Sequence, residues 1–137
     1  MPLVRSVMTP FPYSVGIHEP VSKAREMMER HGICHLPVMD DGRLVSVISD
    51  RDVSLALNLP PEIQMLVQDL CPPEAYVVDV TARLDRVLLG MAERHSESAL
   101  VVKAGRLAGI FTVTDACRCY GEFLRSLFPP DDGGQVA

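Results

Sequence analysis

The sequence predicts an α/β (α+β) protein of two β-α-β-β-α units, related by a pseudo-twofold axis and packed through their sheets. Three observations carry this. The chain matches itself without a gap after a shift of 63 residues. Within each copy, apolar residues recur at strand spacing and then at helical spacing. Turn and helix-start signals fall at the same places in both copies.

The repeat decides the architecture and is weighed first. Pro10 falls on Pro73, Tyr13 on Tyr76, Val15 on Val78, Met28 on Met91 and Val38 on Val101. Gly42-Arg43-Leu44 falls on Gly105-Arg106-Leu107, and Asp52 on Asp115. Two copies are too few for a solenoid. A hairpin with a helix on either side cannot bury both faces alone, but two copies packed strand-face to strand-face can.

The elements follow in order. "YSVG" and "YVVD" read as short first strands, carrying Tyr13 and Tyr76. Val21, Ala24, Met27, Met28 and His31 recur at helical spacing, as do Leu84, Val87, Leu88, Met91 and Ala92. These stripes read as core or dimer interface. Pro20 lies in the first turn of the first helix, Thr81 is a candidate N-cap of the second, and Gly32 ends the first. "HLPVMD" and "SALVVK" are strands. "DDGR" and "AGR" are turns, where glycine relieves the steric penalty of positive φ. "LVSVIS" and "LAGIFT" are the next strands, and a helix begins at each aspartate, Asp52 and Asp115. The boundaries are set at 1–63 for the first copy with its N-terminal segment and linker, and 64–127 for the second. In the linker, Pro60-Pro61 breaks the preceding helix and residues 62–70 are expected to be helical, with residues 3–7 a shorter version. The tail, 128–137, carries two prolines, two acids and two glycines and is expected to be disordered.

Composition sets exclusions. The chain has 137 residues, 47% hydrophobic and 23% charged, with net charge −5. That is the balance of a folded domain, and the charge gives no general attraction to nucleic acid. No stretch approaches the ~20 apolar residues of a membrane span, and the N-terminus lacks a signal-peptide core, so a cytoplasmic location is expected. Cys34, Cys71, Cys117 and Cys119 read as reduced thiols. Cys117 and Cys119 are separated by one residue, unlike structural zinc spacings. His31 and His35 are interrupted by Gly32, and with His18 and His95 they make no recognisable metal set; they read as exposed or structural. No catalytic triad, Walker loop or metal-protease motif is present, so an enzyme is not expected.

The run "VMTPFPYSV…AREMMERHGICHLPVMDDGRLVSVISDRD" resembles a cystathionine-β-synthase (CBS) motif. The second copy, "LCPPEAYVV…VLLGMAERHSESALVVKAGRLAGIFTVTDA", is similar to a more divergent one. Together they resemble a tandem CBS pair, or Bateman module, over residues 3–127, with no appended domain. The resemblance implies regulation: such pairs bind adenosine-containing ligands (AMP, ADP, ATP or S-adenosylmethionine) in clefts between the motifs. They dimerise into a disc and alter a partner's activity.

The resemblance also implies the site residues. Ser49-Asp50-Arg51-Asp52 and Thr112-Val113-Thr114-Asp115 stand where the family carries Ser or Thr, two residues, then Asp. A carboxylate can accept from two ribose hydroxyls, a serine or threonine hydroxyl can donate to phosphate, and a helix N-terminus favours anions. The first site then takes Thr9, Ser49, Arg51 and Asp52 for ribose and phosphate. Pro10, Tyr13, Leu36, Pro37 and Val38 would form its adenine pocket. The second, weaker site takes Tyr76, Thr112, Thr114 and Asp115, with Pro72 and Leu100 where the first has Thr9 and Pro37. Arg51 faces no basic counterpart, so phosphate is expected to prefer the first site. Capping alone remains the alternative explanation of both aspartates, and a stronger one for Asp115 than for Asp52. Two functions stay open: a nucleotide-sensing module with no obligatory cofactor, and a ligand-independent dimerisation scaffold. A homodimer is expected in either case, with a regulated protein as a possible partner.

Overall fold

The computed structural model describes residues 1–131; the end of the expected disordered tail, 132–137, lies outside them. The strands are β1 (Thr9–Pro10), β2 (Val15–Gly16), β3 (His35–Asp40), β4 (Arg43–Ser49), β5 (Val77–Asp79), β6 (Ser98–Lys103) and β7 (Arg106–Thr112). The helices are α1 (Val21–His31), α2 (Asp50–Leu57), α3 (Leu84–Arg94) and α4 (Val113–Leu127). Each copy has the predicted β-α-β-β-α order. One sheet runs β2-β3-β4 and the other β1-β7-β6-β5.

The two copies are alike in detail. The first strand of each pairs in parallel with the second, and the second pairs antiparallel with the third. The hairpin register shifts at Val38/Met39 and again at Val101/Val102, equivalent places 63 residues apart. Both hairpins close through two residues at positive φ: Asp41 (49°) and Gly42 (80°), then Ala104 (51°) and Gly105 (78°). That is the type I′ turn whose twist matches the strands, and glycine serves its second position without strain. Helix α1 ends at Gly32 in the left-handed region, and His95 takes the same conformation after α3.

The copies exchange their leading segments. Short 3-10 turns at Val4–Ser6 and Val67–Leu70 are equivalent. Val4 is fully buried in the second copy's core, beside Val87, Val101 and Phe111. Val67 is fully buried in the first copy's core, beside Ala24, Leu36 and Ile48. The Val4 amide donates to the Ala82 carbonyl at 2.8 Å, and the Val67 amide to the Glu19 carbonyl at 2.8 Å. Leu84 donates to Pro2, and Val21 to Met65, in the same matched way. Strand β1 continues the crossing by pairing with β7. The close approach needs Gly109, where a β-carbon would meet the Met8 thioether and, at 2.9 Å, the Thr9 carbonyl. The equivalent segment of the second copy is Pro72-Pro73, which has no amide donors for a ladder. There, Ser46 donates its hydroxyl to the Pro72 carbonyl at 3.5 Å.

Five local expectations are corrected. Residues 62–70 form no helix beyond the turn at Val67–Leu70: a turn at Pro60 leads to an extended stretch whose Met65, Leu66 and Val67 pair with residues 19–21. Pro20 is the residue before α1 rather than part of its first turn. Thr81 caps nothing; its amide and hydroxyl both donate to Asp79 Oδ2, and α3 starts after Arg83. That pair of donors holds the Asp79 carboxyl below its usual range. Lastly, α2 and α4 start after Ser49 and Thr112, so Asp52 and Asp115 are third in their helices. The first strands are also shorter than read, and Tyr13 and Tyr76 precede them.

Candidate functional site between the two motifs

Each third strand ends on a hydroxyl residue in extended conformation, and the next residue opens a helix. Ser49 Oγ accepts from the Asp52 amide at 3.2 Å, while Asp52 Oδ2 accepts from the Ser49 amide at 3.0 Å. Thr112 and Asp115 repeat this box at 3.3 and 2.9 Å, and the Thr112 hydroxyl lies 3.0 Å from Asp115 Oδ2. Capping is therefore real at both places, and it engages one carboxylate oxygen of each. The other oxygen distinguishes them. Asp115 Oδ1 accepts from Arg118 Nη1 at 3.2 Å, whereas Asp52 Oδ1 stands outside its box.

Ser49 and Asp52 face a cleft of about 210 Å³ between the copies. Its other walls are Val47 and Ile48 of β4, His35 of β3, and residues of the second copy: Pro72, Glu74, Tyr76, Glu97 and Ser98. This is below the ~300–1,000 Å³ typical of ligand pockets, so a ligand of nucleoside size would protrude from it. Larger hollows at the hairpin tips (830 Å³) and against the linker (380 Å³) contain neither Ser/Thr-to-Asp turn.

The crossing of the leading segments regroups the sequence-derived residues. Tyr76, assigned to the second site, lines the Asp52 cleft. It is held there by Arg94, whose guanidinium lies 4.4 Å from the ring centroid, and by Gly90, where a β-carbon would collide with the phenol. Thr9 and Pro10, assigned to the first site, pair with Ile110 and Gly109 on the strand that ends at Thr112. Tyr13 is half exposed and stacks on His31 with centroids 3.6 Å apart. Leu36, Pro37 and Val38 are fully buried, and none of them lines the cleft. Thr114 is exposed on the first turn of α4.

Arg51 is 76% exposed, and its Nη2 lies 3.6 Å from Glu97 Oε1. The other oxygen of Glu97 lies 3.4 Å from His35 Nε2. That nitrogen is buried and has no hydrogen bond: Glu97 is within ionic reach but not aligned to accept. Sequence reasoning missed His35, Glu74 and Glu97. Glu97 aligns with Cys34 and Glu74 with Phe11, so the repeat comparison alone points at neither. Beneath the cleft, burial pushes the Cys71 thiol up; a hydrogen bond with Ser46 opposes this, and the Asp52 charge adds to it.

Comparison with known proteins agrees with this architecture. Residues 4–59 and 67–122 each match the CBS domain. The chain belongs to the CBS domain family and carries the domain twice. It is 33% identical over 122 residues to hypoxic response protein 1 of Mycobacterium tuberculosis, covering 86% of this chain and 85% of that one. The CBSX2 protein solved in complex with AMP superposes with a TM-score of 0.76 at 28% identity, over 90% of this chain and 98% of that one. The CBS pair of protein MJ0100, solved with 5′-methylthioadenosine and S-adenosyl-L-methionine, gives 0.81 at 23% identity over 90% and 98%. Hypoxic response protein 1 has itself been solved with two coordinated zinc ions. Among the described residues here, no three His, Cys, Asp or Glu side chains gather as a metal site. Among those residues, too, no helix is long and apolar enough to cross a membrane.

Proposed function

We propose that the chain is a regulatory module binding an adenosine-containing ligand between its two CBS motifs, without catalysing a reaction. One observation carries this most directly. The Ser49–Asp52 turn lines a cleft closed by the other copy, and its capping leaves a carboxylate oxygen for a ribose diol. The AMP complex of CBSX2 supports the ligand class. A ligand touching both copies at once would bias their relative arrangement, which is how binding could reach a partner protein. Around the second turn, Thr9 and Pro10, paired on the strand that ends at Thr112, would join Thr112 and Asp115 in a matching set. A cytoplasmic location suits such a ligand. Titration calorimetry with adenosine, AMP, ADP, ATP and S-adenosylmethionine tests the reading. Binding that Asp52→Ala weakens at least about tenfold is expected, from loss of charge-assisted hydrogen bonds. No binding by any of the five at millimolar concentration overturns it.

A second reading rests on α4. None of its residues is buried, and Tyr120, Phe123, Leu124 and Leu127 are exposed along it. An uncovered apolar face of this kind suits a subunit contact, and a homodimer is proposed in both readings. Light scattering showing a monomer across micromolar concentrations would contradict it.

A further inference from the structure

The Asp52 cleft is acidic. Asp52, Glu74 and Glu97 all line it, against one imidazole, His35. Two guanidiniums stand behind these walls, each already engaged: Arg51 is directed at Glu97, and Arg94 lies over the Tyr76 ring. A phosphate entering beside Ser49 would meet three carboxylates and an arginine already facing one of them. The equivalents of Glu74 and Glu97 in the other copy are Phe11 and Cys34. The two acids are therefore particular to this side of the molecule. Phe11 is 91% exposed, takes φ 48°, and donates its amide hydrogen to the Ala108 carbonyl at 3.1 Å.

Like charges about 6 Å apart in a partly wet site repel enough to shift affinity by about threefold to a hundredfold. The one imidazole, His35, has its Nε2 buried and 3.4 Å from Glu97 Oε2, so it too is turned toward that carboxylate and not toward an incoming phosphate.

We infer that the Asp52 cleft selects adenosine ligands whose 5′ substituent is uncharged or cationic, with Glu97 as the residue that turns phosphates away. This rests on the nucleoside reading above. It reverses the expectation drawn from Arg51, because that side chain has a carboxylate partner.

The test is calorimetry without divalent cations, using adenosine, S-adenosylmethionine (net cationic through its sulfonium) and AMP. Each is titrated into the full chain and into the Asp52→Ala, Glu97→Gln and Glu74→Gln variants. The Asp52-dependent component is expected to bind S-adenosylmethionine about tenfold more tightly than AMP. Glu97→Gln should reduce that ratio to about threefold or less by strengthening AMP, with adenosine unchanged. Glu74→Gln should act in the same direction, which guards against a misfolded single variant. AMP binding as tightly as S-adenosylmethionine, or a ratio unmoved by both glutamine variants, overturns the inference and leaves the nucleoside module standing. Absence of any Asp52-dependent nucleoside binding overturns both.

Discussion

The two Ser/Thr-to-Asp turns are close copies in backbone and caps, yet they sit in unlike surroundings. Asp115 has Arg118 on its second oxygen, and the strand before it carries β1. Asp52 has no such arginine, faces Glu74 and Glu97, and is approached by a proline pair that cannot extend the sheet. Duplication preserved what folding needs, a capped helix on a strand end. The side chains delivered by the opposite copy then diverged. The difference teaches that what surrounds each turn is set by residues the turn itself does not contain.

Four experiments would break or sharpen that comparison. The largest effect is expected at Gly109, whose equivalent is Ser46. Gly109→Ser puts a side chain against Met8 and the Thr9 backbone and should cost about 1–3 kcal/mol by overpacking, seen as a lower urea midpoint. Val4→Ala and Val67→Ala come next. Each empties a fully buried position in the opposite copy's core and should cost about 2 kcal/mol. Near-equal losses would affirm the exchange of leading segments, whereas a loss at only one would break the symmetry. Asp52→Ala and Asp115→Ala should each cost about 1 kcal/mol as caps, while only the former removes binding at the acidic cleft. The smallest effect is chemical. Cys34 and Cys117 are exposed, whereas burial raises the pKa of Cys71 and Cys119. A raised thiol pKa means less thiolate at pH 8, so alkylation should reach Cys34 and Cys117 about tenfold sooner, by mass spectrometry of digested peptides.

Much of the fold was legible because it is local. The strand pair from His35 to Ser49 and its counterpart from Ser98 to Thr112 follow from apolar runs around glycine turns, and α1 and α3 from their spacing. What failed was decided at a distance. Residues 65–67 have helix-forming composition but pair with the backbone at 19–21. Thr81 donates its amide and hydroxyl to the neighbouring Asp79 carboxylate, so its oxygen does not turn to accept from a helix amide. Leu36, Pro37 and Val38 carry the family pattern as core residues, and an apolar triplet reads the same whether it lines a cleft or fills one. The candidate site was half legible. Ser49 and Asp52 were visible through repetition, but a perfect repeat looks identical whether each leading segment packs on its own copy or on the other. Only the crossing shows that Tyr76, Glu74 and Glu97 face Asp52.

The central claim is that one nucleoside-binding cleft is built jointly by Ser49–Asp52 and the second copy. Amide chemical-shift mapping by nuclear magnetic resonance, with adenosine added to the full chain, tests it most directly. The account predicts that Ser49, Asp52, Tyr76 and Glu97 shift together along one saturating curve. Shifts confined to a single copy, or centred on the hairpin tips at Gly42 and Gly105, would contradict it.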